Sequence, residues 1–150
     1  MFDDLRDLYQ DVILDHGRRP RHGSRLAAFD ATAKGDNPMC GDRVQVFVRH
    51  DDAGRIAETG FEARGCAISI ASADLMAEVV AGHSNDEVRA LAERFRDMAR
   101  TGEAAQDDAA MERLRPLAGV HEFPSRVKCA TLAWHALLAA LDGRGEASSE

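Results

Sequence analysis

The hydrophobic pattern changes period at Gly65-Cys66, and that change limits what the chain can become. Before it, Val44, Val46 and Val48 point one way while Gln45, Phe47 and Arg49 point the other, the period-two pattern of a strand. Asp51-Asp52-Ala53-Gly54 has the chemistry of a turn, and Arg55 to Ala63 returns as the partner strand of a hairpin. After it, Ile68, Ala71, Leu75, Met76 and Val79 recur at helical spacing until Gly82. A hairpin that runs straight into helices predicts an α+β fold with a small antiparallel sheet.

The flanking segments fill in that plan. Leu5, Leu8, Tyr9, Val12 and Ile13 predict an amphipathic helix over residues 3–16, stopped by Gly17 and Pro20. Residues 26–34 are the candidate first strand, although their alternation is poor. Ser84 and Glu87 are spaced as a capping box for a helix whose packing stripe is Val88, Leu91, Ala92, Phe95 and Ala99. Thr101 to Gln106 is a polar break, and a short helix around 108–114 follows, closed by Pro116 and Gly119. The last helix opens near Pro124-Ser125 and runs to about Leu141, with Val127, Ala130, Thr131, Trp134, Leu138 and Leu141 on its packing face. Residues 1–142 therefore read as one domain and residues 143–150 as a frayed, disordered polar tail.

Charge and cysteine usage narrow the function. A formal net charge of −7 argues against general binding to nucleic acid or to anionic membranes. No run approaches the roughly 20 apolar residues of a membrane span. Met1-Phe2-Asp3-Asp4 is acidic where a signal peptide would be basic, and three cysteines cannot close a disulfide set. The expected setting is the reducing cytoplasm, where cysteines serve metals or catalysis. Arg18, Arg19, Arg21, His22 and Arg25 crowd the loop after the first helix, either as a solvated basic loop or as a docking patch for an acidic partner. No aromatic residue interleaves them as in a single-strand nucleic-acid platform.

The candidate site is Cys40, Asp42, Cys66 and Cys129. Zinc takes four tetrahedral ligands from thiolate, imidazole and carboxylate, and these residues offer three sulfurs and one oxygen. Cys40 and Asp42 precede the first hairpin strand, in the Asn37-Pro38-Met39-Cys40-Gly41-Asp42 loop, and Cys66 follows the second. The two ends of an antiparallel hairpin are neighbours, so Cys129 need only approach from the first turns of the last helix. Cys66 and Cys129 each stand near a helix start, which favours a thiolate, and Arg126 and Lys128 add supporting positive charge near Cys129. Two other readings stand beside this one. The cysteines also suit ordinary buried positions, since their long separations match no zinc-finger spacing. Thiol–imidazole hydrolysis needs a base, and no pattern ties His83, His121 or His135 to a particular thiol. Ser69 and Ser72 read as helix-compatible polar fillers.

Three blocks of the sequence resemble a known family. Asn37-Pro38-Met39-Cys40-Gly41-Asp42-Arg43, Gly65-Cys66-Ala67-Ile68-Ser69 and Phe123-Pro124-Ser125-Arg126-Val127-Lys128-Cys129-Ala130-Thr131-Leu132 look like the iron–sulfur cluster assembly proteins of the IscU/NifU fold. Leu8 to His16, followed by Pro20-Arg21, fits the same family, and the likeness runs to about Leu141. The scaffold branch carries a histidine directly before its third cysteine, where this chain has Lys128, and the chain has extra helical material at roughly 101–111. Both departures resemble the SufU branch, the zinc-dependent sulfurtransferases of the SUF system.

That resemblance implies a small three-stranded antiparallel sheet covered by helices, with zinc on Cys40, Asp42, Cys66 and Cys129. It also implies that Cys40 accepts sulfane sulfur from the persulfide of a SufS-type cysteine desulfurase and passes it to a SufBCD-type scaffold. Arg18, Arg19 and Arg21 would then be part of a docking surface. The alternatives are a scaffold that builds a labile [2Fe–2S] cluster, or binds iron, on the same ligands, and a module whose zinc only holds the fold.

Overall fold

The computed structural model describes residues 2–38, 41–104 and 108–148, apart from the side chains of residues 2–8 and 148. Helix α1, Phe2–Arg18, is followed by strands β1, Ala31–Asn37, β2, Asp42–His50, and β3, Ile56–Arg64. Helices α2, Ala67–Val79, α3, Asn85–Thr101, and α4, Ala109–Leu114, come next. A 3₁₀ stretch, Arg115–Glu122, leads into α5, Pro124–Leu141, and strand β4, Glu146–Ser148, ends the described chain.

The hairpin forms as its alternation requires. Val44, Val46 and Val48 are buried on one face of β2, and Val46 lies opposite Phe61 of β3. The face carrying Phe47 is also covered. Phe29 meets the Phe47 ring edge-on at 5.0 Å, and the Arg25 guanidinium sits over both rings, 5.2 Å from Phe29 and 5.3 Å from Phe47. This corrects the expected first strand: it starts at Ala31 rather than near 26, and the segment before it crosses the far side of the sheet. Leu26 and Phe29 are spent on that crossing, which is why the strand alternation fails there. Gly60 makes room for it, since a β-carbon at Gly60 would come within 2.4 Å of the Ser24 carbonyl oxygen.

The sheet has four strands in the order β3-β2-β1-β4 and is mixed, not the three-stranded antiparallel sheet expected. β1 pairs antiparallel with β2, and β2 with β3, while β4 runs parallel to β1 with Lys34 opposite Glu146. The fourth strand comes from the stretch read as a tail. A turn at Asp142-Gly143, with Gly143 at φ 75°, sends the chain back along β1, and Lys34 N–H donates to the Gly145 carbonyl at 2.9 Å. Three residues of mixed polarity carry no strand pattern, so nothing in the sequence signalled this pairing. The opposite edge, β3, is covered by the loop after α1, where Phe61 N–H donates to the His22 carbonyl at 3.1 Å.

The helices lie against the other face. α5 is mostly buried from Cys129 onward and rich in alanine, which lets it approach the sheet closely. A β-carbon on Gly35 of β1 would sit 3.2 Å from both Leu132 and Ala136 of α5. Trp134 stacks on Phe95 of α3 at 4.8 Å, closing the core between the two helices. The capping box that starts α3 is present: Glu87 N–H donates to Ser84 Oγ at 3.2 Å, and Ser84 N–H to Glu87 Oε1 at 2.9 Å. α2 is the exception to simple amphipathicity. It is held between α1, α5 and β3, so Ser72 and Asp74 are buried as completely as Leu75 and Met76, and Ser69 is buried with them. Among the described residues, no helix is long and apolar enough to cross a membrane.

Candidate metal centre

Asp42, Cys66 and Cys129 come together at one end of the hairpin, with one ligand atom from each lying within 4.8 Å of the others. Asp42 is the first residue of β2. The turn before it closes with a hydrogen bond from Gly41 N–H to the Asn37 carbonyl at 2.8 Å, and Gly41 takes φ 75°, the left-handed conformation that glycine adopts without strain. Cys40 and Met39 lie outside the described residues.

Cys66 occupies the N-cap position of α2, directly after the end of β3. Its own side chain does not cap the helix. The Asp42 carboxylate takes part of that role from the neighbouring strand: Cys66 N–H donates to Oδ1 at 3.2 Å, and Ser69 O–H donates to Oδ2 at 2.6 Å. The positive end of the α2 dipole thus faces the one carboxylate of the cluster. Gly65 permits the approach. Cys66 is exposed, with its Sγ 3.6 Å from Asp42 Oδ2. Asp42 is only 3% exposed.

Cys129 reaches the cluster from α5 and is buried. Burial is the main reason its thiol pKa is pushed far above the ordinary value, with hydrogen bonding to Asp42 and the charge of Cys66 acting the same way. The helix start and the basic neighbours expected to favour a thiolate are outweighed in the metal-free chain. Arg126 is exposed and lies over the Phe123 ring at 4.4 Å, and Lys128 is half-buried. A cation inside the cluster would reverse the balance at Cys129.

The donor set fits zinc. Bond lengths of about 2.3 Å to sulfur and about 2.1 Å to oxygen, at the tetrahedral angle, place two such donors about 3.6 Å apart. Cys66 Sγ and Asp42 Oδ2 stand at that separation, 3.6 Å.

The basic loop is tied down at two points. Arg21 bonds Asp15 Oδ2 at 2.6 Å and the Arg19 carbonyl at 3.1 Å. His22 N–H donates to Oδ1 of Asp74 at 2.8 Å, while His16 Nδ1 meets Oδ2 of the same carboxylate at 2.5 Å. Asp74 is fully buried in α2, so one side chain fixes both the end of α1 and the loop after it. Arg18 and Arg19 remain exposed. Beside the cluster of Asp42, Cys66 and Cys129, between α1 and the 3₁₀ stretch, opens an apolar cleft of about 750 Å³ bounded by Tyr9, Leu14, Ile68 and Phe123.

Residues 8–130 match the NifU-like N-terminal domain. The chain belongs to that family. Among NifU-like relatives, it is 41% identical over 138 residues to the Streptococcus pyogenes serotype M1 protein named iron–sulfur cluster assembly scaffold protein IscU, covering 91% of this chain and 84% of that one. It is 37% identical over 134 residues to the Bacillus subtilis (strain 168) protein named zinc-dependent sulfurtransferase SufU, covering 89% and 88%. In structure it resembles a putative iron–sulfur cluster assembly scaffold protein for the SUF system from Fervidobacterium islandicum AW-1. There the TM-score is 0.79 at 28% identity, over 87% of this chain and 94% of that one. NifU-like membership accounts for the order of the sequence blocks and for the α+β architecture.

Ser69 is the contributor that sequence reasoning missed. Its spacing from Cys66 places it one helical turn on, but only the buried contact with Asp42 separates it from a surface serine.

Proposed function

We propose that the chain is a zinc-dependent sulfurtransferase of iron–sulfur cluster assembly, with Cys40, Asp42, Cys66 and Cys129 as the metal ligands and Cys40 as the sulfur acceptor. The observation that carries the proposal is the convergence of Asp42, Cys66 and Cys129, one ligand atom from each within 4.8 Å of the others. The relative named zinc-dependent sulfurtransferase, similar over nearly the whole chain, supports the same reading. Zinc, when bound, supplies a redox-inert positive centre that favours the thiolate forms of its ligands.

The transfer itself is a thiol exchange. The Cys40 thiolate attacks the terminal sulfur of a persulfide presented by a SufS-type cysteine desulfurase. A sulfur–sulfur bond forms on Cys40, the donor's sulfur–sulfur bond breaks, and the donor cysteine leaves as a thiolate, with no net oxidation. The same exchange then hands the sulfur to a SufBCD-type scaffold. Asp42 is held by Cys66 N–H and Ser69 O–H, apart from the acceptor thiol. Arg18, Arg19 and Arg21 offer cationic contacts to an acidic partner surface, and Arg126 and Lys128 add positive charge beside the cluster. Free thiols of this kind suit the reducing cytoplasm.

A [2Fe–2S] scaffold is the second reading, favoured by the relative named as an IscU scaffold. Lys128, in the place where the scaffold branch has a histidine, counts against it. Anaerobic purification with zinc, iron and acid-labile sulfide analysis separates the two: stoichiometric zinc without sulfide is expected, and a stoichiometric labile cluster overturns the zinc reading. In a mixture with the desulfurase and sulfur-labelled cysteine, label should reach Cys40 and cysteine turnover should rise. Failure of both ends the relay reading.

A further inference from the structure

We propose that Ser69 is a positioning residue of the metal centre: its hydroxyl holds the Asp42 carboxylate in ligating orientation before the metal arrives. The inference rests on the zinc reading above and goes beyond it, because Ser69 is not itself a ligand.

Three distances carry it. Ser69 Oγ lies 2.6 Å from Asp42 Oδ2, 3.2 Å from the Cys129 carbonyl oxygen and 3.7 Å from Cys66 Sγ. One buried hydroxyl is therefore in reach of all three residues that converge on the cluster. A hydroxyl has a single proton to give, and the nearest acceptor is the carboxylate, whose charge makes it the stronger one. Ser69 donates to the same carboxylate oxygen that stands 3.6 Å from Cys66 Sγ, so its bond fixes the distance between two of the donor atoms.

The neighbouring serine shows what an ordinary structural role looks like. Ser72, one turn further along α2 and fully buried, donates to the Ala130 carbonyl of α5 at 2.5 Å and bonds no carboxylate among the described residues. Ser72 spends its proton bridging α2 to the backbone of α5, whereas Ser69 spends its proton on Asp42. Loss of Ser72 should loosen the helix pair and leave the ligands where they are. Loss of Ser69 should free the Asp42 side chain to rotate, and groups that orient a ligand this way are worth about 10–100-fold in metal affinity.

The test is zinc affinity of the full chain by competition with a chromophoric chelator, for wild type, Ser69→Ala, Ser69→Thr, Ser69→Val and Ser72→Ala. Metal-free unfolding curves are measured in parallel. Ser69→Ala should bind zinc about 10-fold or more weakly, and Ser72→Ala should lose fold stability while binding zinc as wild type does. Threonine and valine have the same shape, so the hydroxyl alone distinguishes them: Thr should restore affinity and Val should not. In an Asp42→Ala background, Ser69→Ala should cause no further loss. Wild-type affinity in Ser69→Ala, equal loss in Ser72→Ala, or equal behaviour of Thr and Val would each overturn the role. A wild-type chain that takes up no zinc would instead sink the metal centre itself, a failure distinct from these.

Discussion

Gly65 has no room for a β-carbon, because one built there would lie 2.3 Å from Oδ1 of Asp42 and 2.6 Å from its Cγ. Its φ of 153° also lies outside what a side-chain-bearing residue readily adopts. The glycine before Cys66 is thus as much a requirement of the site as the cysteine.

Gly65→Ala should therefore drive the Asp42 carboxylate off its donors. The expected result is loss of zinc binding by more than about tenfold, as for a removed ligand-orienting contact, and a stability loss of about 1–3 kcal/mol in the metal-free chain. Zinc content after dialysis and a urea unfolding curve measure the two effects. An alanine variant that keeps stoichiometric zinc would show that Asp42 does not ligate.

Zinc should stabilise the fold by mass action, since its ligands are brought together only by the folded chain. At a free zinc concentration about a hundredfold above Kd the gain is about 2.7 kcal/mol, or a Tm rise of about 5–10 °C. Thermal scans with zinc and then with excess chelator should show the rise and its reversal. Cys129→Ser and Asp42→Ala should reduce it, and an unchanged Tm in wild type would contradict the site.

Asp74 is fully buried and holds both His16 and the backbone of His22. Asp74→Ala strands those groups without an acceptor and should cost about 3 kcal/mol. The loop from Arg19 to Arg25 should also become more accessible to trypsin, and proteolysis at Arg21 or Arg25 is the readout, since Pro20 blocks cleavage after Arg19. An unchanged cleavage rate would mean that the loop is held by Arg25 on Phe29 and Phe47 instead.

Glu87 gives a dependence on pH. Hydrogen bonds from the backbone and side chain of Ser84 hold its pKa down, at about 2 against an ordinary value of 4.5. A carboxyl with a depressed folded-state pKa adds stability above its unfolded value, and that contribution fades as the pH falls through the folded one. Glu87→Gln should melt below wild type at neutral pH, with the gap closing as the pH drops from about 4.5 toward 2. A gap of constant size would remove the charge from the explanation.

The hairpin and the later helices were legible because their signals are local. Val44, Val46 and Val48 alternate, and Ser84 and Glu87 stand at capping distance, so a few neighbouring residues suffice. The convergence of Asp42 and Cys66 followed from the hairpin itself, whose ends must meet. Ser69 and Asp74 were not legible, since residue type does not tell a buried serine or aspartate from an exposed one. α2 hides this further, because it is enclosed on several sides and its apolar stripe describes only part of its burial. The burial of Cys129 was not legible for a related reason: helix position and nearby cations can be counted along the chain, whereas desolvation can be read only from packing.

Strand β4 has a practical consequence for anyone shortening the chain. Removing everything after α5 would strip the outer side of β1 of its neighbour and leave the amide and carbonyl groups around Lys34 and Asp36 open to strands from other molecules. Trimmed versions should be prone to clumping even with the core and the cysteines intact. Affinity handles belong behind a spacer that lets Glu146–Ser148 dock first.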